Sequence, residues 1–143
     1  MKIELKRINK AVHFEAVNET GVAIAIDGSP VIGGENKGVR PMELLLMGLG
    51  GCSGIDIVNI LGKMKQTVDE FSITIDGDRE QGVEPSLFEK IHVKFNLKGN
   101  LDQDKVEKAV NLSMEKYCSV AKTLEKSAKI TYDFSINQQF TDQ

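Results

Sequence analysis

RPMELLLMGLGGCSGIDIVNILGKMK, residues Arg40 to Lys65, is the stretch whose reading decides the fold. It has the length and apolar content of one long helix, yet it carries Gly48, Gly50, Gly51 and Gly54 around a single cysteine, Cys52. Each interior glycine destabilises a helix by roughly 1 kcal/mol relative to alanine. Four of them make sense where another element packs closely and the missing side chains leave room around the thiol. The only other cysteine, Cys118, ends a second helical pattern in EKYCSVAKTL. The glycines are expected to let that second helix, and Cys118 with it, approach Cys52.

The rest of the chain sets limits on this reading. At 143 residues it is expected to form one domain, 1–143, with a hydrophobic core that needs no disulfide staples. The net charge of -3 and the scattered lysines argue against nucleic acid or an anionic membrane as partner. The N-terminus alternates apolar and charged residues, unlike an export signal. Glu43, Asp56 and Asn59 interrupt the long apolar segment, so no membrane span is expected. The expected compartment is therefore the cytoplasm, where thiols are kept reduced and two cysteines do not imply a structural disulfide.

Working outward from the helix, Lys2–Ile8, Ala11–Val17 and Val22–Asp27 read as three strands on one side. A glycine-rich loop at 28–38 joins them to Pro41, which suits a first helical turn. On the other side, Phe71, Ile73 and Ile75 alternate with polar residues as a half-buried strand. Ile91, Val93, Phe95 and Leu97 make the clearest strand in the chain. Asp102 is placed to cap a helix with its buried face at Val106, Ala109, Val110, Ser113, Met114 and Tyr117. Lys129–Ile136 reads as a last strand. Hairpin-like spacing predicts antiparallel sheets with helices packed on one face, an α+β fold. The long helix, apolar on all sides, is expected to be covered by sheet, by the second helix and by another subunit.

Several residues are candidates for chemistry, each with a plainer reading beside it. Cys52 and Cys118 are either a reactive pair or two small buried hydrophobes. A helix beginning at Ser119 would favour a thiolate at Cys118. Glu43 in the first turn is either a helix-start acid or the orienter of a cation near Cys52. Asp56, four residues after Cys52, shares its helix face and is expected to bond a polar core group. His13 and His92 are too few and too scattered for a metal site and are expected on solvated strand faces. The glycine clusters lack the strand–loop–helix order of a phosphate loop, so no nucleotide cofactor is expected.

The segments RPMELLLMGLGGCSGIDIV and EKYCSVAKTL together resemble the two signatures of the OsmC/Ohr family, and most closely its YhfA-like branch. The resemblance covers nearly the whole chain. It implies an OsmC-like fold: antiparallel sheets wrapped around a long central helix in an intertwined homodimer. It also implies reduction of organic hydroperoxides, with Cys52 attacking the peroxide oxygen and becoming a sulfenic acid, and Cys118 closing a disulfide with it. A dithiol, lipoyl-type in the best-known members, would restore the pair, and neither a cofactor nor a metal is implied. In the hydroperoxide branch a glutamate follows the proline directly and pairs with an arginine; here that position is Met42 and the acid is Glu43. Arg40 is the best substitute for the arginine. The resemblance therefore proposes Cys52, Cys118, Glu43 and Arg40 as the catalytic set. The alternative is a non-catalytic OsmC-like dimer that binds a small apolar ligand at its interface.

Overall fold

A computed structural model of the chain describes residues 1–138. They form two compact units, 1–45 and 46–143, of which the second is described to residue 138. Together they hold two three-stranded sheets and one long helix, an α+β architecture.

In the N-terminal unit, β1 (Glu4–Arg7), β2 (Phe14–Val17) and β3 (Ala23–Ile26) form an antiparallel meander in the order β1-β2-β3. The strands are shorter than their alternating patterns because Asn9 and Asn18 end them with side-chain turns. Asn9 Oδ1 accepts from the amides of Ala11 and His13, and Asn18 Oδ1 from those of Thr20 and Val22. The glycine-rich loop is tightly organised. Asp27, almost fully buried, accepts backbone N–H bonds from Gly28 (2.8 Å), Glu35 (3.0 Å) and Lys37 (3.2 Å). Gly34 is required there, since a Cβ would lie 1.7 Å from the carbonyl oxygen of Gly28. His13 departs from expectation: its Nε2 is buried without a partner instead of facing solvent.

The long helix α1 spans Pro41–Lys63. By length and composition it would also cross a bilayer. Here it is a core helix, with Leu49, Ser53, Gly54, Ile57 and Leu61 buried along one stripe. Gly50 and Gly54 face β4 (Glu70–Arg79), whose Phe71, Ile73 and Ile75 are half-buried in alternation. A Cβ on Gly50 would meet Ile75 Cδ1 at 3.0 Å, and one on Gly54 would meet Ile73 Cδ1 at 2.8 Å. These two glycines serve the sheet, not the second helix as the sequence suggested. Only Gly48 faces the later helix, at an ordinary 3.9 Å from Val120. Gly51 and Gly62 meet nothing within 4 Å, and Met47, Ile55 and Val58 are exposed on the same side.

β5 (Phe88–Lys98) is the centre of the second sheet, with Ile91, Val93, Phe95 and Leu97 buried as expected. It pairs antiparallel with β4 but parallel with β6 (Lys129–Ile136), so the sheet is mixed rather than antiparallel. A parallel neighbour needs a crossover connection, and the helical segment between β5 and β6 supplies it. That segment begins at α2 (Gln103–Leu112), capped as predicted by Asp102, which accepts from the Lys105 N–H at 3.0 Å. A single π turn follows at Ser113–Tyr117, then a short helix α3 at Ser119–Leu124. The π turn rotates the face that α2 established, so Tyr117 is exposed instead of buried.

Burial opposes ionisation of Asp27, but its three N–H bonds, led by that from Glu35, outweigh it and hold the carboxyl below its ordinary 3.8. A depressed folded value means the loop is stabilised by this group above 3.8 and loses that support as pH falls through the folded value. Hydrogen exchange of the Gly28, Glu35 and Lys37 amides, corrected for intrinsic rate, should show protection that persists at about pH 5 and collapses only in stronger acid. Asp27→Ala should remove it at every pH. Unchanged protection in that variant would refute the role.

Candidate active site

Cys52 is carried one turn after Gly48 on α1, and Cys118 is carried at the junction of the π turn and α3. The two are brought together: both Sγ atoms and a carboxylate oxygen of Asp56 lie within 4.8 Å of one another. Both are free thiols. Cys52 is half-buried, while Cys118 is fully enclosed.

The local sequence explains this meeting. In the π turn the Cys118 N–H reaches back five residues to the Ser113 carbonyl, at 2.7 Å. This wider turn ends α2, and Cys118 then adopts an extended conformation at the N-cap of α3, φ -72° and ψ 102°. Its sulfur accepts from the Ala121 N–H at 3.4 Å. One turn earlier, Ser113 donates to the carbonyl of Ser53 at 3.3 Å and to Asp56 Oδ2 at 3.2 Å. Asp56 therefore bonds a polar core group, as its helix position suggested. Ser53, buried in mid-helix, satisfies its own hydroxyl on the Leu49 carbonyl at 2.7 Å.

The expectation of a thiolate at Cys118 does not hold. Burial pushes its thiol up from 9.0 to about 11, and the neighbouring Cys52 side chain adds to the rise. The Ala121 N–H acts in the opposite sense but loses to desolvation. Helix α3 has only six residues, too few for its dipole to offset a fully enclosed sulfur.

Arg40 and Glu43 are held by other bonds, all inside the N-terminal unit. The Arg40 carbonyl accepts the first helical N–H, from Leu44, and Glu43 Oε1 accepts the Arg40 N–H at 2.7 Å. This is the backward half of a capping box. The guanidinium of Arg40 donates to the carbonyls of Asp27 and Gly38 at 3.4 Å and to the Asn36 side chain. His92, at the outer face of the second sheet, is bonded to Thr131 (2.7 Å) and Asp133 (3.0 Å).

Sequence reasoning placed Asp56 on the Cys52 face of α1 but missed the part played by Ser113 at this site. The signal for Ser113 was present as a hydroxyl on the apolar stripe of α2. Beside Asp56 opens a groove of about 500 Å³, lined by Asn59, Ile60, Lys63, Met64, Leu112 and Tyr117 as well.

Comparison with known proteins places this arrangement. The family model for OsmC-like protein matches residues 34–133. Protein YhfA of Escherichia coli K12 is 39% identical over 124 residues, covering 86% of this chain and 89% of its own. The crystal structure of a hypothetical protein from Aquifex aeolicus is 34% identical with a TM-score of 0.79, over 96% of this chain and 97% of its own. An organic hydroperoxide resistance protein, OsmC, from Legionella pneumophila has a TM-score of 0.70 over 94% and 97%, at 17% identity, a likeness of fold alone.

The raised Cys118 thiol sets a test of the site's electrostatics. In native protein at about pH 8, iodoacetamide should leave Cys118 unmodified, and it should react readily once the chain is unfolded. Because its folded value lies above its unfolded one, this thiol stabilises the fold below 9.0 and withdraws that support as pH rises toward about 11. Rapid alkylation of native Cys118, read by peptide mass, would contradict the burial argument.

Proposed function

This chain belongs to the OsmC-like family, and from that premise we propose that it is a thiol-dependent peroxidase that reduces organic hydroperoxides. The observation that carries the reading is the meeting of Cys52 and Cys118 from two distant helices. The Legionella neighbour is an organic hydroperoxide resistance protein, but at 17% identity it contributes fold only. The chemistry rests on the two thiols.

In the proposed cycle Cys52 is the attacking sulfur, being the more accessible of the two. Its thiolate attacks one peroxide oxygen, the O–O bond breaks, an alcohol leaves and Cys52 becomes a sulfenic acid. Cys118 then attacks that sulfur. The S–S bond forms, hydroxide departs from Cys52, and the Cys118 proton leaves with it as water. A dithiol of the lipoyl type restores both thiols by exchange and is itself oxidised to a disulfide. A protonated Cys118 suits a resolving thiol, which must wait until the sulfenic acid exists. Arg40 and Glu43 enter as positioning residues that fix the start of the helix bearing Cys52. We place the protein in the cytoplasm, as a single OsmC-like domain over 1–143.

We further propose a homodimer, the general state of OsmC/Ohr proteins. In the lone chain Met47, Ile55 and Val58 of α1 are exposed, with Gly51 open between them. The small N-terminal sheet also exposes Leu5 and Ile24. A second copy is the natural cover for these surfaces.

One observation favours the alternative, a non-catalytic dimer with an apolar ligand. The groove beside Asp56 is walled by Ile60, Met64, Leu112 and Tyr117 and does not need a reactive thiol to bind. A copurifying ligand together with thiols inert to peroxide would support it.

Treating reduced protein with cumene hydroperoxide should give a Cys52–Cys118 disulfide, detected by peptide mass. Cys52→Ser should abolish peroxide consumption, and Cys118→Ser should trap a sulfenic acid on Cys52. Absence of the disulfide while a control peroxidase reacts would end the peroxidase reading.

The dimer is tested separately. Ile55→Lys should shift the mass in sedimentation toward the monomer. Gly51→Ala should destabilise the assembly, whereas in a monomer it would stabilise α1 by about 1 kcal/mol. A stabilised Gly51→Ala variant of unchanged monomeric mass would rule the interface out.

A further inference from the structure

We propose that Cys52, Asp56 and Cys118 form a binding site for one zinc-class divalent cation when both thiols are reduced. This goes beyond peroxide reduction and does not depend on it.

The ligand spacing is the first support. Cys52 and Asp56 stand at i and i+4 on α1, one turn apart on one face. Two ligands at that spacing on a helix grip a metal together, as the histidine pairs of zinc-binding helices do. The third ligand, Cys118, comes from a different element and closes the set from the other side.

The distances fit as well. All three donor atoms already lie within 4.8 Å of one another. With metal–ligand bonds of about 2.0–2.3 Å, donors around a tetrahedral zinc stand about 3.3–3.8 Å apart. Side-chain adjustment of about 1.5 Å at most therefore completes the coordination.

The surrounding hydrogen bonds suit charged ligands. Ser113 donates to Asp56 Oδ2 at 3.2 Å, and the Ala121 N–H donates to Cys118 Sγ at 3.4 Å. Outer partners of this kind orient the ligands and stabilise their anionic forms. Cys52 and Asp56 are half-buried rather than sealed, which leaves an entry path and a fourth position for water.

The donor set selects the metal. Two thiolates disfavour magnesium and calcium, which take oxygen ligands, and the carboxylate disfavours a purely soft ion such as copper(I). Zinc accepts both. Binding converts two thiols to thiolates and releases two protons, which makes it pH-dependent. A bound ion also occupies the sulfur lone pairs that a peroxide requires, so it shields the pair from oxidation. The sequence reading weighed only His13 and His92 for metal, whereas this set is built from sulfur and oxygen.

The test uses reduced, full-length protein under anaerobic conditions. Titration with cobalt(II) should saturate at one ion per chain, with sulfur-to-cobalt charge-transfer absorption and tetrahedral visible bands. Zinc(II) should displace cobalt with no further proton release, whereas zinc(II) added to metal-free reduced protein should release two protons per ion in weakly buffered solution. Cys52→Ser and Cys118→Ser should each weaken the charge-transfer band to about half and lower zinc affinity by at least about tenfold. Asp56→Asn should lower affinity similarly while keeping the full sulfur band. An octahedral spectrum without the sulfur band, in the unaltered protein, would overturn the proposal whatever the variants do. The two readings fail separately. Metal-free protein that forms no disulfide with cumene hydroperoxide sinks the peroxidase, and cobalt spectra without sulfur ligation sink the metal site.

Discussion

Ser113 pins the second helical segment to α1. Its hydroxyl reaches both the Ser53 carbonyl and the Asp56 carboxylate, and its own carbonyl accepts the Cys118 N–H across the π turn. One residue thus closes the contact between helices and sets the geometry of the turn that carries the second cysteine. A regular α-helical bond would have carried the chain past this point. The wider π turn ends α2 and lets Cys118 leave in an extended conformation. The position of the buried thiol therefore follows from a local irregularity in backbone hydrogen bonding as much as from the packing of apolar side chains.

That dependence explains what was legible in the sequence. The alternation in β5 reports burial directly, because a strand with one apolar face has a period of two and the core enforces it. Asp102 was readable as a cap because its bond to Lys105 is local. The parallel partnership of β5 with β6 was not readable. It depends on where a crossover returns the chain, and alternation within a strand is the same in either direction. The π turn was equally hidden. The end of one helix at Cys118 and the start of another at Ser119 were legible, but no glycine or proline marks the wider turn that makes the break.

The site shows the same division. Two thiols in separate motifs were visible as a pair, while the residues that join them were not. Asp56 was assigned a polar partner without its identity, and Ser113 was counted on the apolar stripe. Gly50 and Gly54 were explained by the wrong neighbour, while Gly48 does face the later helix. A small residue in a helix records that something approaches, but its sequence position does not say what. Here Ile73 and Ile75 of the sheet fill the space at Gly54 and Gly50. Gly51, beside Cys52, stays open.

The contrast between the cysteines follows from that packing. The sheet side of α1 is closed, and the side bearing Gly51 and Ile55 is exposed in the single chain. Cys52 lies between these environments and Cys118 lies wholly within the protein. Burial penalises charge on Cys118 more strongly than the Ala121 N–H can offset, so its sulfur remains a thiol at neutral pH. A buried thiol next to a half-exposed one, with a carboxylate close to both, has two ways to become charged. It can lose its proton as it forms a bond to an oxidised neighbour, or it can lose it to a cation that replaces the proton's charge. Both routes begin from the same two thiols, which meet where Ser113 ties the π turn to α1.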